Sequence, residues 1–308
     1  MLGQLDEDGV RQSVLAWLSD VTGFGQDLHF FTWQELWYGF SVGGKNLPLV
    51  SQSGIWTPRS FSSALSIRTR FTAPGEVPPY DDVVGGDGRL RYKYRGEDPE
   101  QFDNRALRAA LERGSPLIWF WGVARTPALY RAIWPVWIVD EEEHQHQFVV
   151  AVDEAQRLMP AGRVMTDVER RYVERLTRQR VHQPVFRARV VAAYGRQCAV
   201  CRLRYVSLLD AAHILPDGHP KGSPVVPNGL SLCKIHHAAF DQNLIGIRPD
   251  RVSVEVRQDV RHARDGPMLL HGLQEMQGTK LVVPRRADAR PDRERLEERW
   301  EEFRRATG

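Results

Sequence analysis

The chain has 308 residues, a formal net charge of +3, 42% hydrophobic residues and 26% charged residues. This length exceeds that of a typical single domain and predicts two compact units, while the composition is ordinary for a soluble protein. No stretch of eighteen apolar residues occurs, which excludes a membrane-spanning helix. The N-terminal sequence MLGQLDEDGVRQSV is acidic and polar, unlike a signal peptide, and we therefore expect a cytoplasmic protein.

The first part of the chain is predicted to form an α+β domain. Residues 1–26 indicate a short helix, because Val10, Val14 and Leu18 recur at helical spacing. From residue 30 to residue 153, short apolar runs alternate with turn signals, a pattern typical of strands. The predicted strands are 64–71, 90–94, 117–123, 136–139 and 148–152, with one helix at 103–113. We expect a curved sheet with flanking helices.

A basic helical segment is predicted to follow. Thr166 and Glu169 form a capping-box pattern that starts a helix, and Pro184 is expected to break it. A second helix, 185–194, should end at Gly195. Eleven arginines fall between residues 163 and 204, which is the pattern of a phosphate-contacting surface, although a solvated helix face is the alternative. The predicted contacts to the DNA backbone are Arg171, Arg175, Arg178, Arg187 and Arg189.

The three cysteines, Cys198, Cys201 and Cys233, all lie in one short segment. An odd number of cysteines argues against a disulfide framework and for a metal site that takes a fourth ligand of another type. Cys198 and Cys201 are separated by two residues, and so are Cys233 and His236, which lets paired ligands reach one tetrahedral zinc ion. We predict a closed site for structural Zn²⁺ that holds a small domain together.

A second polar group lies in the same segment, where Asp210 and His213 occur in LLDAAHILP and Asn228 in PNGLSLC. Phosphodiester hydrolysis needs a base that activates water and a cation at the scissile phosphate. An imidazole suits the base because its ordinary pKa lies near neutral pH. His237 and Asp241 in HHAAFD are four residues apart, so on a helix they face the same side and can bind one cation.

The combined string C-x2-C, A-A-H-I, N-G-L-S-L-C and H-H-x3-D resembles the HNH (ββα-metal) endonuclease family. The family fold is a two-stranded hairpin and a helix around a metal. The resemblance implies that His213 is the general base, that Asn228 orients the loop of the base, and that His237 binds a catalytic Mg²⁺ or Mn²⁺.

One position departs from the family pattern. Many members have an acidic ligand immediately before the first histidine, where this chain has Ala212. The cation must then take Asp241, Asp210 or additional water, and we expect Asp241. The basic helices before the cysteines resemble the family's common way of holding the duplex backbone, which gives affinity without sequence information.

The N-terminal domain resembles the SRA (YDG) branch of the PUA-like superfamily, whose members flip a modified cytosine out of the duplex. The resemblance rests on the order of Gly54-Ile55-Trp56, Tyr80-Asp81-Asp82, Tyr92-Lys93-Tyr94 and Asn104. A flipped base needs an aromatic platform and a polar group that reads its edge. The implied modified-base pocket consists of Trp56, Tyr80, Asp81, Asp82 and Tyr92. Aromatic residues in strands are more often core, and we predict this for Trp119, Trp121, Trp134 and Trp137.

Together these patterns predict a modification-dependent restriction endonuclease that acts on double-stranded DNA, with a homodimer expected because a double-strand break needs two nicks. The predicted segments are a reader domain at 1–155, a basic helical linker at 156–195, an HNH nuclease domain at 196–250 and an extension with a charged helix at 251–308. The alternatives are a reader of the related EVE branch, a mobile-element nuclease whose N-terminal domain reads sequence, and a zinc-stabilised DNA-binding protein that does not cut.

Overall fold

The computed structural model describes residues 6–23, 29–72, 84–160, 162 and 165–307. The chain divides into two compact units, Met1–Val185 and Phe186–Gly308. Both contain helices and strands, so the α+β class predicted from the sequence is confirmed. No helix among these residues has the length and apolar character needed to cross a membrane.

The first unit is built on a curled mixed sheet. Its helices are α1 (Glu7–Val21), α2 (Trp33–Tyr38), α3 (Phe102–Arg113), α4 (Glu154–Leu158) and α5 (Asp167–Thr177). Its strands are β1 (Phe31–Thr32), β2 (Ser41–Val42), β3 (Lys45–Asn46), β4 (Ile55–Trp56), β5 (Ser66–Thr69), β6 (Leu90–Lys93), β7 (Leu117–Arg125), β8 (Ala128–Glu142) and β9 (Gln147–Ala151). The order in the sheet is β4-β5-β7-β8-β9-β6, with β1 also paired to β8, and β5 runs parallel to β7.

Each face of this sheet covers its own hydrophobic core. Successive residues of a strand point to opposite faces, so along β7 Trp119 joins one core and Phe120 the other. Leu107 of α3 packs on the first core, and Leu18 of α1 packs on the second. The predicted core tryptophans Trp119, Trp121 and Trp137 are buried, while Trp134 is half-buried against the second core.

Strand β8 is much longer than the predicted strand 136–139. The prediction stopped short because a proline within an apolar run argues against a strand. Pro135 is accommodated because the pairing of β7 with β8 shifts register beside it, between the pairs Leu117–Val136 and Trp119–Ile133. Such an irregularity leaves one residue outside the hydrogen-bonded pairing of the two strands. A proline, which has no backbone N–H group, therefore loses no hydrogen bond at such a position.

The predicted break at Pro184 is wrong. Helix α5, a π turn at Arg178–His182 and helix α6 (Gln183–Ala193) follow one another without an interruption. A proline ring normally collides with the carbonyl group four residues earlier. Here Gln183 donates its backbone N–H to the carbonyl of Arg178, five residues earlier, and this wider turn makes room for the ring. The predicted capping box of Thr166 and Glu169 is present.

The second unit contains the remaining elements. After α6 these are β10 (Leu209–His213), β11 (Gly229–Cys233), α7 (Lys234–Asp241), β12 (Ile245–Arg248), β13 (Ser253–Val256), α8 (Gln258–His262), α9 (Pro267–Gly272) and α10 (Arg293–Thr307). Of the residues predicted to share one face of the charged helix, Leu296 and Phe303 are buried and Trp300 is half-buried. Arg299 donates to the carbonyl of Phe240 at 2.6 Å, so the C-terminal extension packs on helix α7.

Candidate functional site

The hairpin of β10 and β11, followed by α7, positions the polar residues of the second unit. The strands pair in antiparallel register, with Asp210 opposite Leu232 and His213 opposite Gly229. Helix α7 begins directly after Cys233, which ends β11. Neighbouring helix residues point about 100° apart. His236 and His237 therefore serve two different groups of side chains.

The predicted metal ligands Cys198, Cys201, Cys233 and His236 come together. One ligand atom from each lies within 4.8 Å of all the others. The Sγ atom of Cys233 is 3.0 Å from Nδ1 of His236 and 3.9 Å from Sγ of Cys201. A turn holds the first knuckle, in which Arg202 at φ 63° donates its N–H to the carbonyl of Cys198.

This cluster fits a zinc ion. Tetrahedral Zn²⁺ with Zn–S bonds of about 2.3 Å places its sulfur ligands roughly 3.8 Å apart, close to the observed separation of Cys201 and Cys233. Three of the four ligands are buried, and only Cys201 is exposed. The protein supplies all four corners, so the site has the form of a structural centre and leaves no position for substrate.

His213 ends strand β10 as a half-buried imidazole. Its ring stacks on Phe186 of α6, with centroids 4.1 Å apart. Burial is the main reason that the pKa of His213 lies below its ordinary value, and the charge of Asp217 opposes this shift. Nε2 of His213 is buried and has no hydrogen-bond partner in the part of the chain that the structure describes. The lowered pKa favours the neutral form of the ring, in which one of the two nitrogens can accept a proton.

Asn228 is fully buried and holds the chain that follows His213. Its Oδ1 accepts from the N–H of Leu215 at 3.0 Å, and its Nδ2 donates to the carbonyls of Leu215 at 2.9 Å and Ser223 at 3.1 Å. Its backbone carbonyl accepts from Ile214 at 2.9 Å. These four bonds fix the turn directly after the imidazole, the arrangement expected of a residue that orients a catalytic base.

His237 lies between two carboxylates. Its Nδ1 is 3.4 Å from Oδ2 of Asp210, and its Nε2 is 3.3 Å from Oδ2 of Asp241. The hydrogen bond with Asp210 is the largest effect on His237 and raises its pKa above the ordinary value. Burial, the next largest effect, lowers the pKa but does not outweigh the raising effects. Burial raises the pKa of Asp210, but its bonds to His237 and Lys234 outweigh this and keep the pKa well below its usual range.

The geometry around His237 fits a cation in one of two ways. Each ring nitrogen can bind one cation, so the pair is either Nδ1 with Asp210 or Nε2 with Asp241. The Asp210 side chain is 26% exposed and is anchored by Lys234 at 2.8 Å, whereas that of Asp241 is 59% exposed. Asp210 is also two residues before Ala212, and therefore on the same strand face as that position.

The predicted backbone arginines do not form one set. Arg171, Arg175 and Arg178 are exposed on the helical stretch of the first unit, where their spacing places them on one side. Arg187 donates to the carbonyl of Leu209 through both Nε, at 3.0 Å, and a terminal nitrogen, at 2.5 Å. Arg189 is half-buried, and burial lowers its pKa to about 10. These last two side chains are directed into their own domain.

The first unit contains a cavity of about 200 Å³ at the place where the sequence motifs converge. Gly54, Tyr92 and Arg95 line it, and the Tyr92 hydroxyl donates to the carbonyl of Gly54 at 3.2 Å. Trp56 is not part of its lining, and the indole N–H of Trp56 donates to the carbonyl of Pro48 at 2.6 Å. The predicted pocket residues Tyr80, Asp81 and Asp82 lie outside the described residues.

Sequence reasoning missed two residues that shape the nuclease site, since Phe186 supports His213 and Lys234 neutralises Asp210. A third, Arg187, was predicted as a contact to the DNA backbone and lies 3.4 Å from the same carboxylate. The role of Lys234 could have been predicted from the sequence. It precedes His237 by three residues and Asp241 by seven, and therefore lies on the same face of the helix. No local pattern indicates Phe186, whose contact with His213 depends on tertiary packing.

Residues 198–248 match the family model described as HNH endonuclease. This segment is an HNH endonuclease domain. The domain covers the zinc-type cluster, His213, Asn228 and His237, and the chain therefore carries a nuclease. Among solved structures, the chain is similar to one described as a modification-dependent TagI restriction endonuclease, with 18% identity and a TM-score of 0.26, over 80% of this chain and 84% of that chain. No curated protein matches the chain.

Proposed function

We propose that the chain is a DNA endonuclease that hydrolyses phosphodiester bonds with a divalent cation, and that its first unit directs it to DNA with modified cytosine. The observation that carries the nuclease proposal is the neutral imidazole of His213, which has an unpartnered buried Nε2 and lies in the same hairpin and helix as the His237 group. A general base and a cation site are the two parts that phosphodiester hydrolysis requires.

His237 and Asp210 would hold the catalytic Mg²⁺ or Mn²⁺. We prefer Asp210 to Asp241 because it is better buried and sits on the strand face where the acidic residue of other family members lies. When bound, the cation stabilises negative charge on the scissile phosphate and on the leaving oxygen. Lys234 keeps Asp210 ionised and in position beforehand.

His213 accepts the proton of the attacking water. Its lowered pKa keeps it in the unprotonated form that a base requires, and stacking on Phe186 fixes the plane of the ring. Asn228 acts on His213 through the backbone, because its bonds to Leu215 and Ser223 hold the turn in one conformation. Asn228 is therefore a positioning residue.

The deciding experiment compares His213→Ala with the unmodified chain in cleavage of plasmid DNA with magnesium or manganese. A positioned base contributes about 10²–10⁴ in rate, and we expect a loss of that size with DNA affinity unchanged. His262→Ala is the matched control, since His262 is an exposed histidine that contacts the carbonyl of Gln258. Undiminished cleavage by His213→Ala would assign the base to another residue.

The Cys3His cluster supports a structural Zn²⁺ in the same domain, held by Cys198, Cys201, Cys233 and His236. The exposed arginines Arg171, Arg175 and Arg178 support contacts to the phosphate backbone, which give affinity without reading sequence. Their loss should weaken binding to plain and modified duplexes by the same factor.

The 200 Å³ cavity supports the reader role of the first unit. Its volume is below the roughly 300–1,000 Å³ of pockets for drug-sized ligands and suits one base-sized group. Tyr92, fixed by its bond to Gly54, gives the cavity an aromatic wall. We expect Ser53→Trp, a substitution in the lining of this cavity, to block the cavity and remove the preference for modified DNA, while affinity for plain duplex persists.

The test is competition binding with matched duplexes carrying plain, methylated, hydroxymethylated or glucosylated cytosine at one fixed salt concentration. The salt concentration is fixed because low salt enhances non-specific binding to phosphates. Equal affinity of the protein without substitutions for all four duplexes would contradict the reader proposal. That result would favour a nuclease whose first unit reads sequence, and it would leave the role of His213 untouched.

A further inference from the structure

A groove of about 620 Å³ in the first unit has a lining of cationic and aromatic side chains. Half of the lining residues that the structure describes are Trp33, Arg68, Arg70, Arg125 and Tyr130. Among the described residues that line this groove, none is acidic. Three arginines give this concave surface a positive potential, which attracts anions.

Arg68 is the strongest sign that an anion belongs here. Its side chain is only 8% exposed, and none of the residues that the structure describes gives its buried Nε a hydrogen-bond partner. The guanidinium donates to the carbonyls of Ser51 at 3.3 Å and Gln52 at 3.1 Å, and it lies 5.2 Å from the ring of Trp33. These neutral groups solvate the charge but do not cancel it, and buried charges are normally paired.

Arg70 adds a second positive charge at the same groove. It is two residues from Arg68, so both side chains leave β5 and its continuation on one face of the sheet. Within the described ranges, no carboxylate is at ion-pair distance from Arg68 or Arg70. Guanidinium groups present paired donors that match the oxygens of a phosphate.

We propose that this groove binds a backbone phosphate of duplex DNA, with Arg68 and Arg70 as its donors. The proposal rests on DNA being the substrate. Arg68 also links the groove to the base-sized cavity, because its backbone carbonyl accepts from the Tyr92 hydroxyl at 3.4 Å while its guanidinium borders the groove. A phosphate held at Arg68 would place one DNA strand beside the cavity, since phosphate contacts set register and base contacts set specificity.

The experiment measures duplex binding by the full chain in a His213→Ala background, which prevents cutting. Arg70→Ala removes the exposed donor, and Arg68→Lys keeps the buried charge but loses the paired donors. Arg105→Ala, on helix α3, is the control, because Arg105 is exposed and does not line the groove. Affinity is measured at several salt concentrations for plain and modified duplexes.

We expect Arg70→Ala to weaken binding of both duplexes by the same factor and to reduce the slope of log affinity against log salt by about one, as for one lost phosphate contact. Arg68→Lys should act in the same direction, and Arg105→Ala should change neither quantity. Unchanged affinity and slope in both Arg70→Ala and Arg68→Lys would overturn the proposal.

A second measurement separates duplex DNA from free phosphate as the source of the anion. If inorganic phosphate raises the melting temperature of the parent but not of Arg70→Ala, while duplex binding is the same in both, the groove is a site for free phosphate and the proposal fails. A chain that does not distinguish plain from modified duplex contradicts the reader proposal alone, because the change in salt slope is still measured on plain DNA.

Discussion

The two units fix their functional residues by different physical means. In the first unit, the cavity and the groove lie on a sheet with a hydrophobic core on each face, and Trp119, Phe120 and Phe148 are fully buried. In the second unit, His213 ends a strand of a short hairpin, Asn228 directly precedes the other strand, and His237 lies on the eight-residue helix that follows. The cluster that contains Cys198 and His236 joins this helix to the chain before the hairpin.

Because of this difference, the stability of each unit should depend on a different kind of interaction. A sheet with two cores keeps its geometry through buried apolar area, which no ligand controls. A small hairpin with a closed metal site gains its folding free energy from the metal. The groups proposed to cut DNA and those proposed to read it should therefore respond to different perturbations of one chain.

The largest expected effect comes from the metal ligands. Cys198→Ser, or removal of zinc with a strong chelator, should unfold residues around the nuclease hairpin, because structural zinc supplies about 10–16 kcal/mol of apparent binding free energy in small domains. Hydrogen exchange resolved by peptide should show lost protection at 198–248 and unchanged protection in strands β7 and β8.

The matched control for this experiment is Cys201→His, which keeps a zinc-binding side chain at the exposed ligand position. A protein that contains no zinc by elemental analysis and is nevertheless fully protected at 198–248 would remove the contrast between the two units.

The next effect should appear in the first unit alone. Arg11 is 2% exposed and joins Glu7 of α1 to the sheet, with bonds to Glu7 at 2.8 Å, the Ser63 hydroxyl at 2.8 Å and the Pro116 carbonyl at 3.0 Å. Arg11→Ala leaves the partners of a buried charge unpaired, which costs about 3–5 kcal/mol. Chemical denaturation followed by tryptophan fluorescence should report this loss.

Arg59→Ala is the control for Arg11→Ala, since Arg59 is exposed and surface substitutions stay within about 0.5 kcal/mol. Cleavage per folded molecule should not change in either variant. A loss of protection at 198–248 in Arg11→Ala would show that the nuclease domain depends on the packing of the first unit.

The smallest effect tests packing inside the second unit. A methyl group on Gly246 of β12 would lie 2.5 Å from the ring of Phe303 on α10. Gly246→Ala should therefore destabilise the second unit by about 1–3 kcal/mol, the usual cost of overpacking. Gly266→Ala is the control, because nothing lies within 4 Å of the new methyl group. Denaturation of the zinc-loaded protein measures both.

Phe303→Leu in the Gly246→Ala background should recover part of the stability, because it removes ring atoms from the contact. If Gly246→Ala has no effect on stability, the contrast between the two units becomes sharper. The C-terminal extension would then add nothing to the stability of the second unit, which would depend on metal binding alone.

The sequence predicted best what depends on local spacing. The four metal ligands follow from two short spacings, and the structure brings them together. The strands at Leu90 and Leu117 and the helix at Phe102 follow from apolar periodicity and turn signals. The candidate site residues Asn228 and His237 were identified by resemblance to a family, and their contacts with Leu215 and Asp210 come only from the structure.

Contacts that depend on long-range packing could not be predicted from the sequence. Arg187 was predicted to face DNA because it belongs to a basic stretch, yet the carbonyl of Leu209 occupies its donors. The burial of the Arg68 guanidinium was equally hidden, since only the fold shows which of the described residues surround it. Charge counts along a sequence do not distinguish a surface arginine from one that is bonded inside the fold.

The π turn at Arg178–His182 has a consequence for insertions and deletions. Val173, Thr177, Val181 and Val185 are all buried, although they repeat every four residues and an α-helix turns about 100° per residue. The wider turn compensates this drift in phase. Deleting one residue between 178 and 182 would restore regular hydrogen bonding and leave eleven residues from Val173 to Val185, which is about 20° from three full turns, so Val185 would stay on the buried face. Inserting one residue there would instead rotate Val185 by about 100° and out of the core.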